Sequence, residues 1–256
     1  MNSKVKDIET VYSRLSKQLH NGNMLHMEHE LETSVKNYSL AKFVLGKGNR
    51  YKALISAGIH GDEPSGVETI CSFLENNRFE NFSDTWELTI LPCLNPYGYE
   101  YGVRENHRGE DLNRFFRHDS PPEEVRFAQS AFDKNYELTI ELHEDSMTPG
   151  FYLYQKGTHQ EDDILGNKIL TAIKNVMPIN HNGEIDGHSA QGGIIIQQTD
   201  WTSMDWWPMA FYALSKGTRR TLTLETATGF AMQTRAEAHL IAIDTALKFY
   251  TEKLKS

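Results

Sequence analysis

Leu54-Ile55-Ser56-Ala57-Gly58-Ile59-His60-Gly61-Asp62-Glu63-Pro64 is an apolar run that stops at a glycine and then presents a histidine and a carboxylate three residues apart. Tyr51 to Ala57 reads as a strand, and from Pro64 to Asn76 the pattern turns helical, with Val67, Ile70, Cys71 and Leu74 on one face. Pro64 suits a first helical turn, where its missing N–H is no loss. His60 and Glu63 therefore occupy a strand-to-helix loop, the place where α/β folds put their sites. As metal ligands the two are incomplete, since a catalytic zinc takes three protein ligands and keeps one position for water. The rest of the chain has to supply a third ligand, a carboxylate base and cations.

Upstream, residues 4 to 20 carry Val5, Ile8, Val11, Tyr12 and Leu15 at helical spacing. Residues 1–30 are expected to be a peripheral helical extension of one domain spanning 1–256. His26 and His29 are also three apart, but in a polar segment with no glycine-rich approach, which reads as surface histidines. Residues 34 to 45 form a strand expected to make a hairpin with 51–57 or to lie beside it. Downstream, Trp86–Leu91, Tyr136–Leu142, Phe151–Tyr154, Gly193–Gln198 and Arg219–Leu224 read as strands. Residues 121–133, 164–176, 204–214 (starting near Trp206) and 234–254 read as helices. Strands alternating with helices imply an α/β fold with a mixed, mostly parallel central sheet and helices on both faces.

Three strand-like runs end in a polar group: Ala57 before His60 and Glu63, Leu142 before His143, and Leu224 before Glu225. Strand C-termini of a parallel sheet share one edge, so these groups can converge there. His60, Glu63 and His143 would make a two-His, one-carboxylate set with an open fourth position, and Glu225 a base beside it. Read separately, each is also an ordinary polar strand end, and Glu225 an edge carboxylate or salt-bridge partner. By composition alone, the charge-dense stretch from Arg104 to Phe116 is a solvated loop.

That stretch also carries a family resemblance. His60-Gly61-Asp62-Glu63, Asn95-Pro96-Tyr97-Gly98, the run Arg104-Glu105-Asn106-His107-Arg108-Gly109-Glu110-Asp111-Leu112-Asn113-Arg114, then His143 and Thr223-Leu224-Glu225 follow one another in the order seen in the zinc carboxypeptidase superfamily. The chain resembles that superfamily, which includes murein-peptide amidases and the aspartoacylase and succinylglutamate desuccinylase branch. The resemblance implies one zinc ion on His60, Glu63 and His143, with Glu225 as general base. It implies Arg104 as the group that stabilises the developing oxyanion, and Asn113 and Arg114 as the binders of a substrate carboxylate. A second metal, drawing on His107, Asp111, Glu144 or Asp145, is a smaller alternative. Ser203-Met204-Asp205-Trp206 resembles the segment after the family's mobile tyrosine. Counting back puts Gln197 where that tyrosine would be and leaves Met204 to line an apolar specificity pocket, with Gln198 or Tyr212 as other stand-ins.

The implied activity is cleavage of an amide bond beside a free carboxylate in a peptide or small peptide-like substrate. The alternatives are an N-acyl-amino-acid deacylase and a non-catalytic binding protein on the same fold. With 26 basic and 35 acidic residues the formal charge is −9, which argues against a nucleic-acid partner. The first 17 residues lack an apolar core for a secretory signal, and no 18-residue apolar run exists to span a membrane. A cytoplasmic location is the expectation, with Cys71 and Cys93 as buried thiols. Oligomeric state is not encoded in any motif.

Overall fold

The computed structural model describes residues 5–19, 25–160, 163–196 and 200–255. The apolar runs at β3 (Tyr51–Ala57), β4 (Trp86–Leu91) and β5 (Leu138–Asp145) are buried almost throughout. Strands covered on both faces have no solvent side to mark with polar residues, so they appear as continuous apolar runs. With β10 (Arg220–Ala227) they form a parallel centre in the order β4-β3-β5-β10. Around it lie β1 (His26–Leu31), β2 (Tyr38–Leu45), β6 (Tyr152–Gly157), β7 (Glu184–Ile185), β8 (His188–Gln191) and β9 (Ile194–Ile195). Among the described residues these make one sheet ordered β1-β2-β4-β3-β5-β10-β6-β9-β8-β7, antiparallel where β2 meets β4 and where β6 meets β10.

Alternate side chains of the central strands enter two cores. Ala53, Ile55, Ala57, Ile140, Leu142, Leu222 and Leu224 meet α1 (Ile8–Gln18), α2 (Ser65–Glu75), α5 (Ile164–Ile173) and α7 (Met232–Lys255) on one face. Leu54 and Leu91 meet α4 (Glu123–Ser130), α6 (Met209–Ser215) and the stretch at Leu112 and Phe116 on the other. The remaining helix, α3 (Pro96–Tyr101), is short and follows β4. Each Leu or Ile fully buried in this way contributes about 1.5–3 kcal/mol.

The expected α/β architecture is present, with four differences from the expected elements. β2 and β3 are neither a hairpin nor neighbours, because β4 lies between them. β2 buries only part of its length and suits an outer position, whereas β3 needs cover on both sides. The described residues of the expected N-terminal extension join the fold: Ile8, Val11, Tyr12 and Leu15 enter the main core, and β1 is an edge strand in register with β2. β5 and β10 run past Leu142 and Leu224, so His143 and Glu225 are strand residues. Finally, α6 begins at Met209, behind Pro208 and a 3-10 turn at Trp201–Ser203.

Candidate active site

The loop after β3 is placed by a backbone contact that only glycine permits. A Cβ built on Gly61 would fall 1.9 Å from the carbonyl carbon of Gly98, so the loop lies directly against α3. Asn95 fastens the pair. Its N–H donates to Gly58 O at 2.8 Å, its Oδ1 accepts from Gly98 N at 2.8 Å, and its Nδ2 donates to Arg104 O at 3.2 Å. Arg104 thus enters the site on a backbone tied to the same asparagine.

The charge-dense loop is ordered by the buried Asn106, whose Oδ1 accepts from Arg108 N at 2.9 Å and Glu110 N at 3.1 Å. Gly109 supplies the left-handed turn, at φ 76°. The chain then reaches Asp111, whose carboxylate gathers the site. Oδ1 lies 3.2 Å from His60 Nε2 and accepts from Asn113 N at 3.1 Å, and Oδ2 accepts from Arg104 Nε at 3.2 Å and Nη2 at 3.1 Å. Burial alone would raise the Asp111 carboxyl, but His60 and the two arginines, Arg104 and Arg114, outweigh it and hold it below the usual range.

His60, Glu63 and His143 are all buried, and one donor atom from each lies within 4.8 Å of the others. Glu63 sits between the rings, with Oε1 2.6 Å from His60 Nδ1 and Oε2 2.8 Å from His143 Nδ1. The other ring nitrogens face carboxylates: Asp111 behind His60, and Glu141 Oε2 at 3.8 Å behind His143 Nε2. At 3.2 Å Asp111 is within hydrogen-bond reach of the outer nitrogen of His60 and leaves Nδ1 to ligate, the arrangement that orients metal-binding histidines. The charges agree. Burial would lower His143 and raise Glu63, yet their mutual attraction wins, raising His143 and depressing Glu63. Two imidazoles and one carboxylate, buried and convergent, fit one zinc ion with a position left for water.

Glu225 is beside this centre by register. Its Cα pairs with His143 across β5 and with Tyr152 across β6, so the three side chains share one face of the sheet. Burial, together with Glu63, Asp145 and Asp186, raises the Glu225 carboxyl well above its ordinary value, against a lowering by His143. All of these groups except Glu141 and Asp111 line a cleft of about 430 Å³, together with Arg104, Asn113, Arg114, Tyr154, Lys156, Trp206, Ala210 and Phe211.

Residues 49–193 match the family described as the succinylglutamate desuccinylase/aspartoacylase catalytic domain. The chain belongs to this family. The matched span holds all three ligands, Arg104, Asn113 and Arg114, and ends before Glu225 and the Trp206 segment. Murein peptide amidase A of Escherichia coli K12 is 38% identical over 68 residues, 27% of this chain and 26% of that protein, so the chain matches about a quarter of its curated relative's length. A candidate metallopeptidase of Shewanella baltica superposes with TM-score 0.79 at 24% identity, covering 95% of this chain and 92% of that one. A metallo-carboxypeptidase of Pseudomonas aeruginosa superposes with TM-score 0.71 at 16% identity, covering 95% and 69%. At these identities the structural likeness concerns the fold.

In this family member the residues singled out by sequence are not all brought together. His60, Glu63, Arg104, Asn113, Arg114, His143 and Glu225 line one cleft. Met204 is not among the lining residues. Its carbonyl accepts from Arg117 just after the 3-10 turn, and Trp206, Pro208, Ala210 and Phe211 form that wall instead. Gln197 and Gln198 lie outside the described residues. Tyr212 packs against Phe116 and Phe132 in the second core. No second metal cluster forms among the described residues. Asp111 is engaged with His60 and Arg104, and Glu144 accepts from Ser65 N at 2.9 Å and from Arg235. Asp145 accepts from Met147 N and from Tyr152, and His107 lies 3.7 Å from Glu124.

Sequence reading missed Tyr152 and Tyr154, which line the cleft with their hydroxyls donating to Asp145 at 2.9 Å and Asp186 at 2.6 Å. Their period-two spacing on a strand was the available signal. It also missed Asp111 as the partner of His60, for which only its place beside Asn113 and Arg114 was a hint.

Proposed function

We propose that the protein is a zinc-dependent hydrolase that cleaves an amide bond beside a free carboxylate in a peptide or small peptide-like substrate. The observation that carries the reading is one cleft holding a convergent His60/Glu63/His143 set, Glu225 in register with His143, and two arginines. Zinc bound by the three ligands would polarise the scissile carbonyl and bring the pKa of a bound water to about 7. Glu225, whose raised carboxyl suits a group that takes up and returns a proton, would accept the proton of the attacking water and deliver it to the departing amine. Arg104, which donates to Glu63 Oε1 at 3.3 Å, would add positive charge where negative charge develops on the carbonyl oxygen. Arg114 would hold the substrate carboxylate with its planar fork. Asn113, whose oxygen already accepts from Met209 N at 2.9 Å, would donate through its amide nitrogen.

The family match favours a second reading, in which the acyl part is a simple acid and the enzyme releases it from an amino acid. Hydrolysis assays on C-terminal dipeptides, murein-type peptides and N-acyl amino acids separate the two. Among the described residues no helix is long and apolar enough to cross a membrane, so neither reading draws on a membrane-spanning helix in them. The role assignment itself is tested with Glu225→Gln, which should keep stoichiometric zinc while turnover drops by about 10²–10⁴. Undiminished turnover in that variant removes Glu225 from the chemistry.

A further inference from the structure

Arg114 is attached to the cleft by one side chain that plays no part in the chemistry above. Its guanidinium carbon lies 4.3 Å from the centroid of the Trp206 ring. Trp206 is an exposed tryptophan at the cleft wall, 39% accessible, in the segment before α6. That segment is stapled to the Asp111–Arg117 loop at several points. Met209 N donates to Asn113 Oδ1 at 2.9 Å, Phe116 N donates to Trp207 O at 3.3 Å, and Arg117 Nη1 donates to Thr202 O at 2.8 Å and to Met204 O. Arg117 also lies 5.0 Å from the Trp207 ring, and Trp207 Nε1 donates to Trp201 O at 2.9 Å. Trp206 is therefore carried to Arg114 on a fixed support.

The geometry has a chemical consequence. A tryptophan ring holds a cation through its π-face and brings no carboxylate or carbonyl oxygen to compete for the guanidinium's N–H donors, which stay available for a carboxylate. Among the described residues Arg114 also meets Asn113 O at 3.3 Å, through Nη1, and Asp111 Oδ2 at 3.8 Å, through Nη2. Asp111 is already engaged by His60 and Arg104, and an arginine side chain left to itself has rotamer entropy to lose on binding.

We propose that Trp206 is a positioning residue for Arg114. It holds the guanidinium at the cleft wall, limiting the positions its fork can take up, and so sets affinity for the substrate carboxylate without touching the reacting atoms. The inference rests on the reading of Arg114 given above. The probe is benzoylglycine, with benzoylglycinamide as its uncharged counterpart, titrated against zinc-loaded protein carrying Glu225→Gln, so that the amide bond of the probe is not cleaved. Trp206→Leu should weaken benzoylglycine binding about three- to fivefold, the scale of an exposed cation–π contact. Trp206→Phe should restore most of the loss, and in Trp206→Leu amide binding should fall by less than benzoylglycine binding. In an Arg114→Ala background, Trp206→Leu should have no further effect, since the two act as one unit. With substrate and with Glu225 intact, Trp206→Leu should raise KM and leave kcat unchanged. Unchanged benzoylglycine affinity in Trp206→Leu, no rescue by phenylalanine, or an equal loss for the amide would each overturn the proposal. Protein with Trp206 and Arg114 intact that does not prefer benzoylglycine to its amide would overturn the carboxylate role of Arg114 itself, and the positioning role with it.

Discussion

Gly61→Ala tests the structural basis of the site at its narrowest point. The added Cβ would lie 1.9 Å from Gly98 C and 2.3 Å from both Gly98 Cα and Tyr99 N, all of them backbone atoms. Carbon atoms rest at about 3.5 Å, so the two segments must separate by roughly 1.5 Å. α3 cannot easily retreat, because Asn95 is bonded to Gly58 and Arg104, and Val5 N donates to Glu100 O at 2.8 Å. The displacement therefore falls on the loop that carries His60 and Glu63. Ligand positions in a metal site tolerate about 0.2 Å, so a shift several times larger should reduce zinc affinity by at least a hundredfold. Overpacking should also cost about 1–3 kcal/mol, a fall in Tm of roughly 2–12 °C for a domain of this size. Competition with a chromogenic chelator measures the first and a thermal melt of the zinc-free protein the second. Gly183→Ala, where a Cβ meets nothing within 4 Å, is the matched control and should change neither. Wild-type zinc affinity and Tm in Gly61→Ala would refute the argument that this contact places the ligands.

Three further outcomes follow from the site and its surroundings. Asp111→Asn removes the carboxylate behind His60, so zinc affinity in the same chelator competition should fall about 10- to 100-fold with the circular dichroism spectrum retained. Zinc at a hundred times its Kd should stabilise the protein by about 2.7 kcal/mol, and the corresponding rise in Tm should vanish in His143→Ala; an equal rise in that variant would place the ion elsewhere. Glu87 is buried and accepts from Gly48 N and Lys134 Nζ, both at 2.7 Å. Burial alone would raise its carboxyl, but those two donors outweigh it and hold it below the usual range. Because the folded value is the lower one, this stabilisation is complete above the unfolded value of about 4.3 and drains away as pH falls through the folded value. Glu87→Gln should therefore cost about 1–3 kcal/mol by denaturant titration at pH 7, and the gap should narrow as pH falls below about 4.3.

Local chemistry determines a good part of this protein's organisation. Continuous apolar runs alternating with helical periods are enough for a mixed sheet covered on both faces, because a strand buried on two sides has nowhere to place polar residues. The ligands, Glu225 and the arginines were legible because each stands near a strand end or in a motif of fixed spacing. Tertiary packing decided which strands are neighbours, since β4 enters between β2 and β3 through contacts that no local pattern encodes. It also decided the company each polar group keeps. Asp111 behind His60 spans 51 residues of sequence, and Arg114 over the Trp206 ring spans a separation larger still, one with no period. Met204 and Trp206 are two residues apart in one short segment, and only the path of the chain through Pro208 into α6 brings the tryptophan and not the methionine to the cleft wall. Side-chain type and spacing state what a residue can do; its partner is set by where the backbone carries it.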